Sequence, residues 1–110
     1  MERYRIRITR QAREHLLEIR RYIEKELLSP IAAKNTIAAI KAEIQSLSNM
    51  PGRVHLTPEE PWHSSGVRRS RVKNFYIYFW INEEGKTVQI MSVIYVKRDQ
   101  ARQLESLDIE

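Results

Sequence analysis

Arg69, Arg71 and Arg98 are the side chains in this sequence best suited to phosphate chemistry. A guanidinium is planar and permanently charged, and it grips a phosphate through two parallel hydrogen bonds. Several on one face could stabilise the charge that develops as a phosphodiester breaks. Cleaving RNA without a metal also requires a base to take the 2′-hydroxyl proton and an acid for the leaving oxygen. Imidazole titrates near neutrality, so His63 and His55 are the candidates, with His63 joining the three arginines in a catalytic reading. Both precede the basic stretch, and Trp62 beside His63 offers a ring on which a base can stack. The plainer account of the same residues is solvated strand arginines and idle loop histidines. His15 sits beside an apolar helical stripe and reads as a surface or packing residue. Scattered histidines with no cysteine match no metal-ligand spacing, and no glycine-rich phosphate loop is present, so neither a metal nor a cofactor is expected.

The elements that position these residues run from Val67 to Asp99. Phe75, Ile77, Phe79 and Ile81 alternate with Tyr76, Tyr78 and Trp80, a period of two in β-branched and aromatic residues that predicts a strand. Thr87 to Val96 predicts another, with Val88, Ile90, Ile94 and Val96 on one face and Gln89, Met91, Val93 and Tyr95 on the other. Asn82-Glu83-Glu84-Gly85-Lys86 reads as the hairpin between them. Val67 to Lys73 is a basic strand in which Arg69, Arg71 and Lys73 share one face and Arg68, Ser70 and Val72 the other. The expected product is a three-stranded antiparallel meander, aliphatic on one side and able to display Arg, Tyr and Trp on the other. Arg68, Arg69, Arg71, Lys73, Tyr76, Tyr78, Trp80, Tyr95, Lys97 and Arg98 are the expected partner- or nucleic-acid-binding residues. The aromatics among them suit either base stacking or burial under a protein partner.

Upstream, Arg3 to Thr9 alternates Tyr4, Ile6 and Ile8 with Arg5 and Arg7, a first strand. Thr9 caps a helix over about Arg10 to Leu28 whose stripe is Ala12, Leu16, Ile19, Ile23 and Leu27. Ser29-Pro30 ends it and starts a second helix to about Asn49, with a stripe of Ala33, Ile37, Ile40, Ile44 and Leu47. Met50 to Gly66, rich in Pro and Gly, reads as a long irregular loop, and Lys97 to Leu107 as a short amphipathic helix. The order β-α-α-β-β-β plus a C-terminal segment predicts an α+β, two-layer fold: a helical hairpin packed on a mainly antiparallel sheet, the far sheet face left partly open.

The chain has 110 residues, which suits a single domain over 1–110, and a net charge of +5, which favours an acidic partner or nucleic acid. No apolar run is long enough to span a bilayer and no leader pattern is visible, so a cytoplasmic location is expected.

The element order, the segment Leu47-Ser48-Asn49-Met50-Pro51 closing the hairpin, and the motif Arg68-Arg69 … Asn74-Phe75-Tyr76-Ile77-Tyr78-Phe79 … Val93-Ile94-Tyr95-Val96-Lys97-Arg98-Asp99 together resemble the RelE/ParE superfamily of bacterial type II toxins. The resemblance covers nearly the whole chain. It implies the same fold, and a cognate antitoxin partner whose acidic or amphipathic tail neutralises the toxin. It also implies one of two activities: ParE-like poisoning of DNA gyrase, or RelE-like, ribosome-dependent cleavage of mRNA. RelE-like enzymes place a tyrosine or histidine soon after the basic residue that closes the last strand. Gln100-Ala101-Arg102-Gln103-Leu104 stands there in this chain, and Tyr76 stands where such enzymes often carry an arginine. The ParE-like activity is therefore the expected one. The alternatives are the metal-independent endoribonuclease, and an inactive homologue that only binds an antitoxin.

Overall fold

The computed structural model describes residues 3–97. Strand β1 (Arg5–Ile8) leads into helix α1 (Arg10–Glu26) and helix α2 (Pro30–Ser46), followed by a 3-10 turn (Pro51–Arg53) and strands β2 (Arg68–Val72), β3 (Phe75–Asn82) and β4 (Thr87–Tyr95). Both helix starts are fixed by local chemistry. Thr9 Oγ1 accepts from Ala12 N at 3.2 Å, and Ser29 Oγ accepts from Ala32 N at 3.1 Å, with Pro30 in the first turn where no N–H is needed. Helix α1 stops at Glu26, so Leu27, expected to end the apolar stripe, is mostly exposed.

The sheet runs in the order β1-β4-β3-β2. The β2–β3–β4 meander is antiparallel, as its alternation predicts, and β1 lies parallel to β4, pairing Arg5 with Thr87 through Ile8 with Ile90. The helical hairpin covers one face. Ala12 and Leu16 from α1 and Ile40, Ile44 and Leu47 around α2 pack on Ile77, Phe79, Val88, Ile90 and Val93, with Ile6 and Ile8 of β1 at the margin. Burying such side chains supplies about 1.5–3 kcal/mol each, the main driving term of the fold.

The structure corrects the sequence reading in two places. First, β4 carries a bulge: Tyr78 pairs with Ser92 but Phe79 pairs with Ile90, leaving Met91 as the extra residue. Strict alternation puts Val93 opposite Val88 and Ile90. The bulge moves Val93 into the helix-side core with them and sends Ile94 to the opposite face with Met91. Second, residues 50–66 are irregular as expected but are tied to the sheet by backbone hydrogen bonds. His55 to Thr57 run antiparallel along the outer edge of β2, with Thr57 N to Val67 O at 2.8 Å and Arg69 N to His55 O at 3.2 Å. A compact turn follows, closed by Val67 N to Trp62 O at 3.0 Å. It lays Trp62 on the second sheet face, over a small cluster of Val67, Tyr78, Met91 and Ile94 flanked by Tyr76 and Trp80. The face expected to be left partly open is therefore covered in part by this turn. Among the described residues, no helix is long and apolar enough to cross a membrane.

Leu28, between the helices, has φ of +49° and is 82% exposed. A left-handed conformation costs a branched side chain about 1–2 kcal/mol, and no burial offsets it here. Leu28→Gly is expected to stabilise the fold by about 0.5–1 kcal/mol after the entropic cost of glycine, read as a raised denaturation midpoint with an unchanged slope.

Candidate functional site

Arg69 is the centre of the basic cluster. Its guanidinium carbon lies 4.1 Å from the centroid of the Tyr76 ring, and that of Arg71 lies 6.0 Å away. The pairing Arg71 with Tyr76 and Arg69 with Tyr78 across β2 and β3 produces this geometry, since cross-strand neighbours on one face stand within side-chain reach. Arg69 Nη1 also meets Glu59 Oε1 at 3.5 Å, and its guanidinium hydrogen-bonds the Tyr78 hydroxyl. With only about a fifth of its side chain exposed, Arg69 is a fixed charge, whereas Arg71 is exposed. Burial pushes the Tyr78 hydroxyl above its ordinary pKa, and the Arg69 hydrogen bond and charge oppose that shift only in part.

The other expected residues fall into different places. Arg68 points to the helix side. Its Nη1 donates to the carbonyl oxygens of Val54 and Gly52, which makes it a clasp between β2 and the 3-10 turn. Ser70, next on that face, donates to Glu43 Oε2 of α2. Tyr78 is fully buried and is not displayed. Trp80 and Tyr76 are half-buried at the rim of the second cluster, and the Trp80 ring lies over Gly66, where a Cβ would meet Nε1 at 3.5 Å. Tyr95 belongs to the helix side, because the bulge reverses its facing. Its ring packs 5.6 Å from that of Phe75 and lines a groove of about 560 Å³ with Ile19, Tyr22 and Leu27 of α1. Lys73 is exposed at the β2–β3 turn and Lys97 just beyond β4. Arg98 lies outside the described residues, as does most of the expected C-terminal helix.

The histidines do not join the arginines. His63 Nδ1 donates to Thr57 O at 3.0 Å, and the His63 ring stays within its own turn. The same turn holds the Glu60 carboxyl below its usual pKa, through Ser64 N and Oγ, each 2.9 Å away. His55 is exposed, and the bond it makes to Arg69 comes from its backbone carbonyl. His15 has a structural role: its Nδ1 accepts from Val93 N at 3.2 Å and from Ser92 Oγ at 3.0 Å, at the bulge. Glu59 was not legible as a member of the site. Nothing in its spacing points to Arg69; only the fold of the 55–66 turn brings them together.

A helical hairpin on one face of a four-stranded mixed sheet, with an arginine–tyrosine cluster on the other, defines a small basic α+β domain of the kind used by toxin–antitoxin pairs. The sequence matches the family described as ParE toxin of type II toxin-antitoxin system, parDE, over residues 6–100, and the chain belongs to that family. Among solved structures it is similar to the chromosomal ParDE system of P. aeruginosa, at 24% identity and a TM-score of 0.71, covering 86% of this chain and 97% of that one. It is also similar to the RelBE2 toxin–antitoxin complex of Mycobacterium tuberculosis, at 23% identity and a TM-score of 0.62, covering 86% of this chain and 93% of that one. At these identities the two structures establish the shared fold. A search of curated proteins finds no match.

Neighbouring arginines should respond differently to truncation. Arg68→Ala leaves the part-buried Val54 carbonyl without its donor and is expected to cost about 1–3 kcal/mol, while Arg71→Ala should stay within about 0.5 kcal/mol, both read by urea denaturation. In an alkaline spectrophotometric titration, Tyr78 should contribute to the late-ionising phase, and Tyr78→Phe should reduce that phase by one tyrosine. Because the folded pKa is raised, the stability linked to Tyr78 is complete below the unfolded tyrosine value and is lost as pH rises through the folded one.

Proposed function

We propose that this chain is a ParE-like toxin that stops growth by binding and poisoning DNA gyrase, and that a cognate antitoxin with an amphipathic or acidic tail neutralises it. The observation that carries the reading is the chemistry around Arg69. Its contacts are the Tyr76 ring, the Tyr78 hydroxyl and Glu59. Tyr78 holds its proton more tightly than a free phenol, and His63 is engaged with the carbonyl of Thr57. A nuclease needs groups that exchange protons near neutrality beside its phosphate-binding cations. This cluster instead supplies a fixed cation on a rigid sheet, which is what a binding surface requires. Membership of the ParE family favours the same target. For the antitoxin, the apolar side chains exposed around the tip of the helical hairpin (Tyr22, Leu27, Leu28 and Ile31) and the net charge of +5 support coverage by an amphipathic, acidic segment.

The test pairs two readouts from the same cells, with the chain expressed alone and with the neighbouring gene. DNA breaks, filamentation and stabilised gyrase–DNA cleavage complexes with intact mRNA are the expected result, suppressed by co-expression of the antitoxin. Codon-phased mRNA cuts mapped by primer extension, with gyrase supercoiling by purified components unaffected, would overturn the gyrase reading in favour of the RelE-like one. Growth unchanged under both conditions would leave only the inactive homologue.

A further inference from the structure

The sheet face that carries Arg69 and Arg71 has a second basic edge contributed by β1. Ile6 and Ile8 face the helix-side core beside Val88 and Ile90, so Arg5 and Arg7 project from the opposite face, in line with Thr87 and Gln89. The rows continue across β3, where Gln89 pairs with Trp80 and Thr87 with Asn82. Arg7 is drawn along this face by a hydrogen bond from Nη1 to Gln89 Oε1 at 3.4 Å. Because β1 and β2 are the outer strands, the two arginine pairs stand at opposite edges on a diagonal, about 14 Å apart across the strands and, by the register, offset by about 13 Å along them. Between them lie the half-buried rings of Trp80, Tyr76 and Trp62. Beside Arg7 is a polar recess of about 460 Å³ bordered by Gln89, Met91 and, from α1, Arg10, Gln11 and Glu14, the last of these paired with Arg10 at 3.4 Å. Among the described residues, no carboxylate lies within ion-pair distance of Arg5, Arg7 or Arg71, and only Glu59 meets Arg69.

We infer that this face is a binding site for single-stranded nucleic acid, straddling the sheet from the Arg5/Arg7 edge to the Arg69/Arg71 edge. Arginine pairs two residues apart on a strand stand about 7 Å apart and can engage successive phosphates through their planar forks. The aromatic centre offers stacking surfaces that accept any base with a free face. A duplex hides those faces and presents only its phosphates, so the aromatic centre selects the single strand. An acidic peptide matches the charge but leaves Trp80, Tyr76 and Trp62 without planar partners. The site requires no bond cleavage, and it stands whether or not gyrase is the toxin's target.

The experiment is a titration of the purified full-length chain with short fluorescein-labelled oligouridine and oligothymidine, following anisotropy and tryptophan emission across a salt series. Saturable binding with quenched emission is expected, and the ratio between the two sugars identifies RNA or DNA as the preferred form. Arg5→Ala with Arg7→Ala, and separately Arg69→Ala with Arg71→Ala, should each weaken binding by about tenfold or more at low salt. Each pair should also flatten the slope of log affinity against log salt by about 1.4, from two phosphate contacts on a single strand. Arg20→Ala with Arg21→Ala, on the exposed side of α1, removes the same charge and should change affinity by less than about twofold. If the Arg69/Arg71 variant loses its thermal transition, the exposed Arg5/Arg7 pair and Trp80→Leu carry the test. An equal loss in the α1 control, equal affinity for duplex, or displacement by polyglutamate at matched charge would each overturn the inference, as would absence of saturable binding.

Discussion

The extra residue at Met91 in β4 is the constraint on which the rest of the structure depends. A strand presents alternate residues to opposite faces, so a single insertion reverses the facing of everything beyond it. Before the bulge, Val88 and Ile90 fill the helix-side core; after it, Val93 continues that core, while Met91 and Ile94 build the cluster on the other face. An unbulged β4 would exchange Val93 and Ile94 and leave both layers mispacked. Beyond Ile90, where the pairing with β1 ends, the Val93 N–H has no strand to donate to, and His15 Nδ1 accepts it. An unsatisfied buried donor would cost about 1–3 kcal/mol, so α1 and β4 are held in one register by a polar contact as well as an apolar one.

Two-sided burial of the central strands decides the character of the site. The second cluster encloses Tyr78 and gives Arg69 a wall to lie against, with Tyr76 beneath it and Glu59 beside it. A cation held in this way has little rotamer freedom left to lose on binding. Arg68, one residue earlier, faces the helices and spends its donors on the carbonyls of Val54 and Gly52. Two adjacent arginines of identical chemistry therefore do different work, one as a structural clasp and one as a presented charge, and the pleat alone separates them.

The order of elements, both helix caps, the two apolar stripes apart from Leu27 and the antiparallel meander were legible, because each rests on short-range periodicity or on a capping residue such as Thr9 or Ser29. The opposite facing of Arg68 and Arg69 was legible for the same reason. Tyr95 was not, since the bulge that turns it depends on a match between β3, β4 and α1 that no local pattern records. The fold of residues 50–66 was also hidden. Their Pro and Gly content signals irregular backbone, while the pairing of His55 to Thr57 with β2 is a tertiary contact that proline-rich segments do not advertise. Glu59 was missed with it.

The position of β1 connects these points to function. Its alternation of Arg5 and Arg7 with Ile6 and Ile8 is plain in the sequence, yet the pattern says nothing about which strand it joins. The helical hairpin intervenes, and β1 then lies parallel beside the last strand rather than beside β2. An arginine on a central strand of this face would meet the apolar cluster and lose its hydration without a partner, at a cost of several kcal/mol. On the outer strands Arg5, Arg7 and Arg71 stay exposed to water, and the mostly buried Arg69 has Glu59 as its partner. Charge is accordingly confined to the two outer strands and aromatic surface to the inner ones. The mixed topology turns two arginine pairs more than sixty residues apart in sequence into opposite rims of one surface.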